Sequence, residues 1–382
     1  MDRLEEKCQL KHSAAFLVII MVLILTGWGI SVAAGKEPEQ MAAKVERCLP
    51  EFANKHFRFQ PAKGIGLEEG VTRRDVSDVI RVGDIYYIWY SRVDHRKLRP
   101  ELRQLKASGY VATIWYAISK DEGYTWEEKG EALGVGAKGQ FDSFAVFTPN
   151  IVKFDGKYYL YYTAIKPSYE KKFLFENNSA TDRTAIGLAV AESPEGPFKR
   201  IKNNPVLVPT APSKDKSIPS AFDSYRVDDA ALLVRDFDDD GDLDIGLYYK
   251  GRNLDDGPRG WEKTCMGLAI AEGPESKYVR ANGGKPILTS SHEVMIWPQR
   301  EGVATYASIT QTFEYAPDGV DFLTHRLGQK ATPKPIAPGC YRVDLTKPVS
   351  YGQGINWGIS MKDPGGPCPY LVRFEVDLQV KP

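Results

Sequence analysis

The sequence predicts an all-β protein, a five-bladed β-propeller, from three observations. A β-rich unit recurs along the chain, a second unit follows each copy, and tight Asp/Gly turns join alternating aromatic strands. The first unit reads DVSDVIRVGDIYYIWYS from Asp75 to Ser91 and TPNIVKFDGKYYLYYT from Thr148 to Thr163. Its third copy is DAALLVR from Asp229, then a longer acidic turn and IGLYYK from Ile245 to Lys250. The second unit reads IWYAISKDEGYTW from Ile114, IGLAVAESPEGPF from Ile186, MGLAIAEGPESKY from Met266 and a shorter TFEYAPDGVDF from Thr312. Each first unit is strand, turn, strand. Each second unit is a strand, a Ser/Pro/Asp/Gly turn and an aromatic that opens another strand. Together they make a four-stranded antiparallel sheet, and such sheets recurring about an axis make a propeller.

Four sheets start near Asp75, Thr148, Asp229 and Glu293. Residues Cys340 to Val380 supply most of a fifth, and strand material between Phe57 and Val71 closes the ring. Ahead of the propeller, Met41, Val45, Cys48 and Leu49 fall on one face at helical spacing, so a short helix is expected between Pro38 and Lys55. The first segment stands outside the fold. An apolar run from Ala14 to about Leu25 leads to the small residues Ser31 to Gly35, which reads as a secretory signal cleaved after Ala34. The alternative is an uncleaved membrane anchor, because the run counted through Val32 approaches the ~20 residues that span a bilayer. The expected organisation is therefore residues 1–34 as signal or anchor, 35–57 as a helical segment and 58–382 as the propeller. Either way the body is exported, to the periplasm or the medium.

At 42% hydrophobic residues the chain has material for one large core. Lys+Arg and Asp+Glu both number 50, and this balance excludes a phosphate-neutralising nucleic-acid binder. Tyr and Trp are abundant; both favour strands and both stack on sugar rings. Past the leader, Cys48, Cys265, Cys340 and Cys368 permit disulfides in an oxidising compartment, with Cys340–Cys368 the first pairing to consider. Their irregular spacing, without a CxxC, argues against zinc.

In a propeller the innermost strand of each blade faces the central channel, so residues at the starts of those strands converge at one mouth. Asp75 and Asp229 share one position in their repeats, and Thr148 holds it in the second. The His292-Glu293 pair precedes the apolar VMIW in the fourth. Glycoside hydrolysis needs an acid for the leaving oxygen and a base or nucleophile opposite. The competing reading makes Asp75 and Asp229 turn residues bonding their own backbone, and His292 a structural histidine.

Four stretches resemble glycoside hydrolase family 117: YVATIWYAIS from Tyr110, GQFDSFAVFTPNIV from Gly139, FDSYRVDDA from Phe222 and HEVMIWP from His292. The resemblance runs from about Gly70 to Val376. It implies a five-bladed propeller related to the family 43 arabinosidases and xylosidases. It also implies the removal of terminal α-1,3-linked 3,6-anhydro-L-galactose from neoagaro-oligosaccharides with inversion, with no cofactor needed for the chemistry. The family's base Asp maps to Asp75 within Arg74-Asp75-Val76-Ser77, where Val replaces the family's Pro. Its second Asp maps to Val227-Asp228-Asp229, and the repeat alignment favours Asp229. Its His-Glu pair maps to His292 and Glu293, with His292 as general acid and Glu293 tuning it.

That assignment is chemically reasonable. Imidazole has an unperturbed pKa near 6.5, and a flanking carboxylate favours the protonated form. Asp75 would activate water from the opposite face, and Asp229 would stabilise positive charge at the anomeric carbon. Trp115, Phe147, Thr148 and Asp223 form the expected pocket wall, with Trp115 either a sugar platform or packing between blades. Arg226 is expected to hold Asp229 or to lie on the surface. Swapped dimers in the family use a Ser-x-Ala-x-x-Arg segment that Met41 to Arg47 lacks, which weakens the dimer expectation.

Asp236, Asp238, Asp240, Asp242 and Asp244 alternate around Gly241 in the ligand order of the first part of a calcium loop, although Leu247 stands where the closing Glu belongs. A structural calcium ion is expected there, against a bare solvated turn. Two further readings stay open. The same site serves another terminal sugar such as an arabinoside, xyloside or galactoside, or the protein is a non-catalytic carbohydrate-binding propeller.

Overall fold

The computed structural model describes Phe52 and residues 55–103, 110–165, 184–324, 333–346, 354–365 and 368–379. The expected signal or anchor, and all of the expected helix except Phe52 and Lys55, lie outside the described residues. No helix among the described residues is long and apolar enough to cross a membrane.

The chain opens with strand β1 (Arg58–Pro61). The first blade follows: β2 (Val71–Val76), the short β3 (Ile80–Val82), β4 (Ile85–Asp94), β5 (Thr113–Ser119) and β6 (Glu127–Leu133). The second is β7 (Ala145–Phe154), β8 (Lys157–Ile165), β9 (Thr184–Ala191) and β10 (Lys199–Arg200). The third is β11 (Arg226–Arg235), β12 (Asp244–Arg252), β13 (Cys265–Ala271) and β14 (Val279–Arg280). The fourth is β15 (Ile296–Gln299), β16 (Gly302–Ala307), β17 (Thr312–Ala316) and β18 (Leu323–Thr324). The fifth takes β19 (Ile336–Cys340), β20 (Trp357–Lys362) and β21 (Tyr370–Glu375), and β1 completes it by pairing with β21 from Arg58↔Glu375 to Pro61↔Val372. The protein is a five-bladed propeller, closed by its N-terminal strand as the sequence indicates. The fifth blade starts at Ile336 rather than at Cys340, because a strand bulge puts the channel-facing residues four positions before the cysteine.

The repeats owe their composition to packing. In the β7–β8 hairpin, Asp155 and Gly156 both have positive φ (47° and 78°), the type I′ geometry that matches strand twist. Gly187 and Gly267 face Tyr162 and Tyr249 across the ladder, and a β-carbon on either would lie 2.5 Å from the phenol ring. Each tyrosine lies over its glycine and donates its hydroxyl to an aspartate, Tyr162 to Asp142 at 3.0 Å and Tyr249 to Asp223 at 3.0 Å. Arg200 and Arg280 complete the two clusters at 2.5 and 2.8 Å. The same Asp–Tyr–Arg joint therefore braces blades two and three.

Below the channel mouth a buried polar plug ties four blades together. The Arg342 guanidinium reaches Asp78 Oδ2 at 2.8 Å and donates to the Leu232 carbonyl. The Asn150 amide donates to Asp78 at 3.1 Å and to the Ala230 carbonyl at 2.9 Å, and the Cys340 backbone N–H donates to Asp78 Oδ1 at 2.9 Å. Gly339 approaches the Ser77 carbonyl so closely that a β-carbon would sit 1.8 Å from its oxygen, so only glycine fits where blade five meets blade one. The Cys340 thiol, fully buried, also faces Asp78 at 3.2 Å, and burial raises its pKa well above the ordinary range. The suggested Cys340–Cys368 bridge is therefore not formed: both thiols are free, and Cys340 points into this plug. Arg342→Met leaves Asp78 buried without its cation. We expect a loss of about 3–5 kcal/mol in urea unfolding; a loss under about 1 kcal/mol would show that the plug does not depend on this pair.

Candidate functional site

Four of the five innermost strands carry the same irregularity. Register shifts between Arg74 and Val76, Phe147 and Asn150, Asp228 and Ala231, and Ile336 and Gly339 mark a bulge in β2, β7, β11 and β19. At each bulge one non-glycine residue takes a left-handed backbone: Asp75 (φ 49°), Thr148 (42°), Asp229 (50°) and Ala337 (42°). Such conformations cost of order 1–2 kcal/mol each for residues with a β-carbon. Their return is geometric, since a bulge re-aims a side chain out of the strand's alternation. In the fourth blade Glu293, three residues before β15, takes the corresponding place. Asp75, Thr148, Asp229, Glu293 and Ala337 form a ring that lines both a pocket of about 170 Å³ and a smaller cavity beneath it.

Above the ring the pocket is completed by Arg74, Tyr110, Phe147, Arg226, Asp228, Lys250, Arg252, Thr264, His292, Ile336 and Met361. His292 borders this upper pocket but not the lower cavity. Its backbone N–H donates to Ser308 Oγ at 2.9 Å and its Nδ1 is 3.3 Å from Thr264 Oγ1. Glu293 is 9% exposed, and its Oε2 has no hydrogen-bond partner among the described residues. Such an atom is costly to bury unless something else binds it.

The two aspartates are held differently. Arg74 Nε donates to Asp75 Oδ2 at 2.6 Å, and its guanidinium lies 3.9 Å from the centre of the Tyr110 ring. Asp229 Oδ2 accepts from Lys250 Nζ at 2.5 Å, and the same ammonium stands 3.3 Å from Asp228 Oδ1. The Asp229 carboxyl is pushed up to about 7: burial raises it most, Lys250 opposes the rise, and the negative charges of Asp228 and Asp75 add to it. The paired carboxylates in turn raise Lys250 above its usual range against the opposing effect of burial, so it stays charged.

The pocket thus brings together Asp75, Asp229, His292, Glu293, Phe147, Thr148 and Arg226. Three expectations need correction. Trp115 is not part of the wall: β5 is the third strand out from the channel, and there the indole donates to Thr113 Oγ1 at 3.1 Å and stacks under Arg92 at 4.1 Å. Asp223 lies outside the pocket, fully buried in the Tyr249–Arg280 joint. Arg226 pairs with Asp228, at 3.7 Å, and Asp229 is held by Lys250 instead. Sequence reasoning missed Lys250, and gave no role to Arg74, Tyr110, Arg252, Thr264 or Met361. The signal for Lys250 was in the repeats, where YYK stands at the position that YS and YT hold in the counterpart strands.

The acidic loop between β11 and β12 brings carboxylate oxygens of Asp236, Asp238 and Asp244 within 4.8 Å of one another. Asp240 and Asp242 stand apart from this group; Asp240 Oδ1 instead accepts the Asp242 backbone N–H at 2.9 Å. Burial raises the Asp244 carboxyl; the Phe237 N–H works against it, and neighbouring Asp238, Asp240 and Asp236 add to the rise.

Comparison with known proteins agrees with this geometry. The family model for glycosyl hydrolases family 43 matches residues 71–218, the first two blades and the start of the connection to the third. The chain is similar to a solved structure of Zg3597, a family 117 glycoside hydrolase from the marine bacterium Zobellia galactanivorans. Identity is 27% over 86% of this chain and 92% of that one, with a TM-score of 0.67. Two other solved structures share the fold at 12% identity. One is of BT0996 in an RGII complex (TM-score 0.57, 90% and 95% covered), the other of a protein described as a glycoside hydrolase (TM-score 0.56, 91% and 96% covered). No curated protein matches the sequence.

Proposed function

We propose that this chain, a glycoside hydrolase of the family 117 and family 43 propeller type, removes a terminal non-reducing sugar from neoagaro-oligosaccharides, with inversion at the anomeric carbon. One observation carries the reading. Asp75, Asp229 and Glu293 stand on one ring at the floor of a single pocket, with His292 at its upper edge. A pocket of this size, closed below by the Arg342 plug, suits one sugar with its leaving group toward the mouth.

In the proposed step, Asp75 takes a proton from water as the water oxygen bonds the anomeric carbon. The bond from that carbon to the leaving oxygen breaks, and His292 gives the leaving oxygen its proton. His292 borders only the upper pocket, the side on which the leaving group would lie. Asp229 offsets positive charge developing at the anomeric carbon. Every proton in this scheme moves between water, substrate and side chains.

The substrate proposed, 3,6-anhydro-L-galactose α-1,3-linked at the non-reducing end, is the one that the motif resemblance to family 117 implies. The test is incubation of the purified chain with neoagarobiose and a panel of aryl arabinosides, xylosides and galactosides. Release of 3,6-anhydro-L-galactose, first as the inverted anomer by NMR, is expected. Cleavage of another glycoside alone would move the substrate, and binding without cleavage of any would return the protein to a carbohydrate-binding role.

The reading also includes export through the N-terminal apolar segment and a structural calcium ion at the acidic loop. The oxygen-only donors Asp236, Asp238 and Asp244 suit calcium, which takes 6–8 oxygen ligands and would complete its shell from water and backbone. Chelation is then expected to lower the melting temperature by several degrees, with recovery on added calcium; an unchanged melting curve would remove calcium from the fold.

A further inference from the structure

We propose that Lys250 is a positioning residue for the glycosidic step, its ammonium opposing protonation of the Asp229 carboxylate and fixing it in the pocket wall. The inference rests on the reading above that Asp229 acts as a negative charge beside the anomeric carbon.

The repeat makes Lys250 stand out. The residue paired with the one that precedes the bulge is Ser91 in blade one, Thr163 in blade two and Met361 in blade five. Ser91 Oγ accepts the Thr148 backbone N–H at 2.8 Å, and Thr163 hydrogen-bonds the Thr148 hydroxyl. Both hydroxyls thus hold the blade-two bulge at Thr148, and neither blade one nor blade two has a charged side chain at this position. Blade three has Lys250 at that position, paired with Asp228. A long cation is not needed to hold a strand there, and burying it is costly. The cost is offset by its contacts, 2.5 Å to Asp229 Oδ2 and 3.3 Å to Asp228 Oδ1.

The charges around Asp229 explain why a cation is needed. From its own strand it faces Asp228 and Arg226, from β12 Lys250 and Arg252, and from β2 Asp75 and Arg74. His292 and Glu293 close the pocket from blade four. Arg74 bonds Asp75 and Arg226 faces Asp228, so Lys250 is the cation in hydrogen-bond contact with Asp229. Asp229 is buried beside two other carboxylates, and both conditions favour its protonated form. A protonated Asp229 has no charge with which to stabilise an oxocarbenium-like transition state. Lys250 opposes that protonation. As a compact ammonium it meets both Asp228 and Asp229 through one nitrogen.

Two readouts test this on the full chain. The first needs no substrate: the Asp229 carboxyl is followed by carbon NMR through a pH titration in wild type, Lys250→Met and Lys250→Arg, with Asp229→Asn giving the assignment. In Lys250→Met the Asp229 midpoint is expected to rise by about one pH unit or more; in Lys250→Arg it stays within about half a unit. The second is the pH profile of kcat on whichever glycoside the wild type cleaves. Lys250→Met is expected to lose at least about fivefold at pH 7, with KM changed by less than about threefold, and to regain rate as pH rises past the new midpoint. Lys250→Gln takes its place if the methionine variant does not fold. A midpoint unmoved by removal of the ammonium, or a rate loss equal at every pH, would overturn the proposal and leave Lys250 a packing residue. If the wild type cleaves no glycoside, the function reading fails, while the NMR titration still decides whether Lys250 controls Asp229.

Discussion

Asp75→Asn is expected to lower kcat by at least about a thousandfold, the upper part of the range for removal of a general base. Asparagine matches aspartate in shape, keeps the left-handed backbone that Asn and Asp tolerate better than other residues, and still accepts from Arg74 through its amide oxygen. What it lacks is the basicity to take a proton from water. The fold and pocket therefore survive, and the loss falls on the chemical step. Calorimetry with the intact oligosaccharide would read binding within a few-fold of wild type, and single-turnover kinetics would show the missing step. Retention of more than about a tenth of wild-type turnover would remove Asp75 from the role of base. The position makes the prediction sharp. The bulge at Asp75 carries local strain, and Arg74 is itself pinned between the carboxylate at 2.6 Å and the Tyr110 ring at 3.9 Å. Protein stability alone gives no reason to keep a buried charged pair in a strained turn.

The propeller was legible because each blade is its own small solution to the same packing problem, and the solutions share residues. Tyr162 over Gly187 and Tyr249 over Gly267 recur because one hairpin must bury one ring. The equivalence of Asp75, Thr148 and Asp229 was legible for the same reason, and the shared bulges bear it out in geometry. The assignments that failed are those made without asking how far a residue stands from the axis. Trp115 lies in the third strand of its blade, two strand spacings of about 4.8 Å out from the channel lining. Asp223 carried a readable warning: FDS occurs at Phe141 to Ser143 and again at Phe222 to Ser224, and a motif repeated in two blades serves the blades. Its partner Arg280 lies 57 residues away, beyond the reach of spacing arguments. Lys250 is the reverse case, a charged departure from the repeat at a place that uncharged Ser91, Thr163 and Met361 hold in other blades. Arg226 was assigned to the wrong neighbour because the bulge sets Asp228 and Asp229 into one pocket, where regular alternation would send them to opposite faces.

His292→Ala is the second large expected effect, and its size depends on the leaving group. A general acid matters most when the departing oxygen is basic. With a sugar alcohol as leaving group, the loss in kcat is expected at about 10²–10⁴-fold. With an aryl leaving group that departs as a stabilised phenolate, the same variant should stay within about tenfold of wild type, because no proton is needed there. A side chain that merely shaped the pocket would cost both substrates alike. Glu293→Gln provides the contrast. Glu293 stands on the ring with Asp75 and Asp229, borders the lower cavity as well as the pocket, and presents an unpartnered buried oxygen. Those features suit a group that binds a hydroxyl of the seated sugar and adds negative charge near His292. Its variant should therefore lose rate on both leaving groups to a similar degree. The arrangement gives the opposite pattern an equally clear meaning. Near-normal activity in His292→Ala, with the leaving-group dependence appearing in Glu293→Gln, would move the acid one residue along the chain, onto the ring and opposite the carboxylate that activates water.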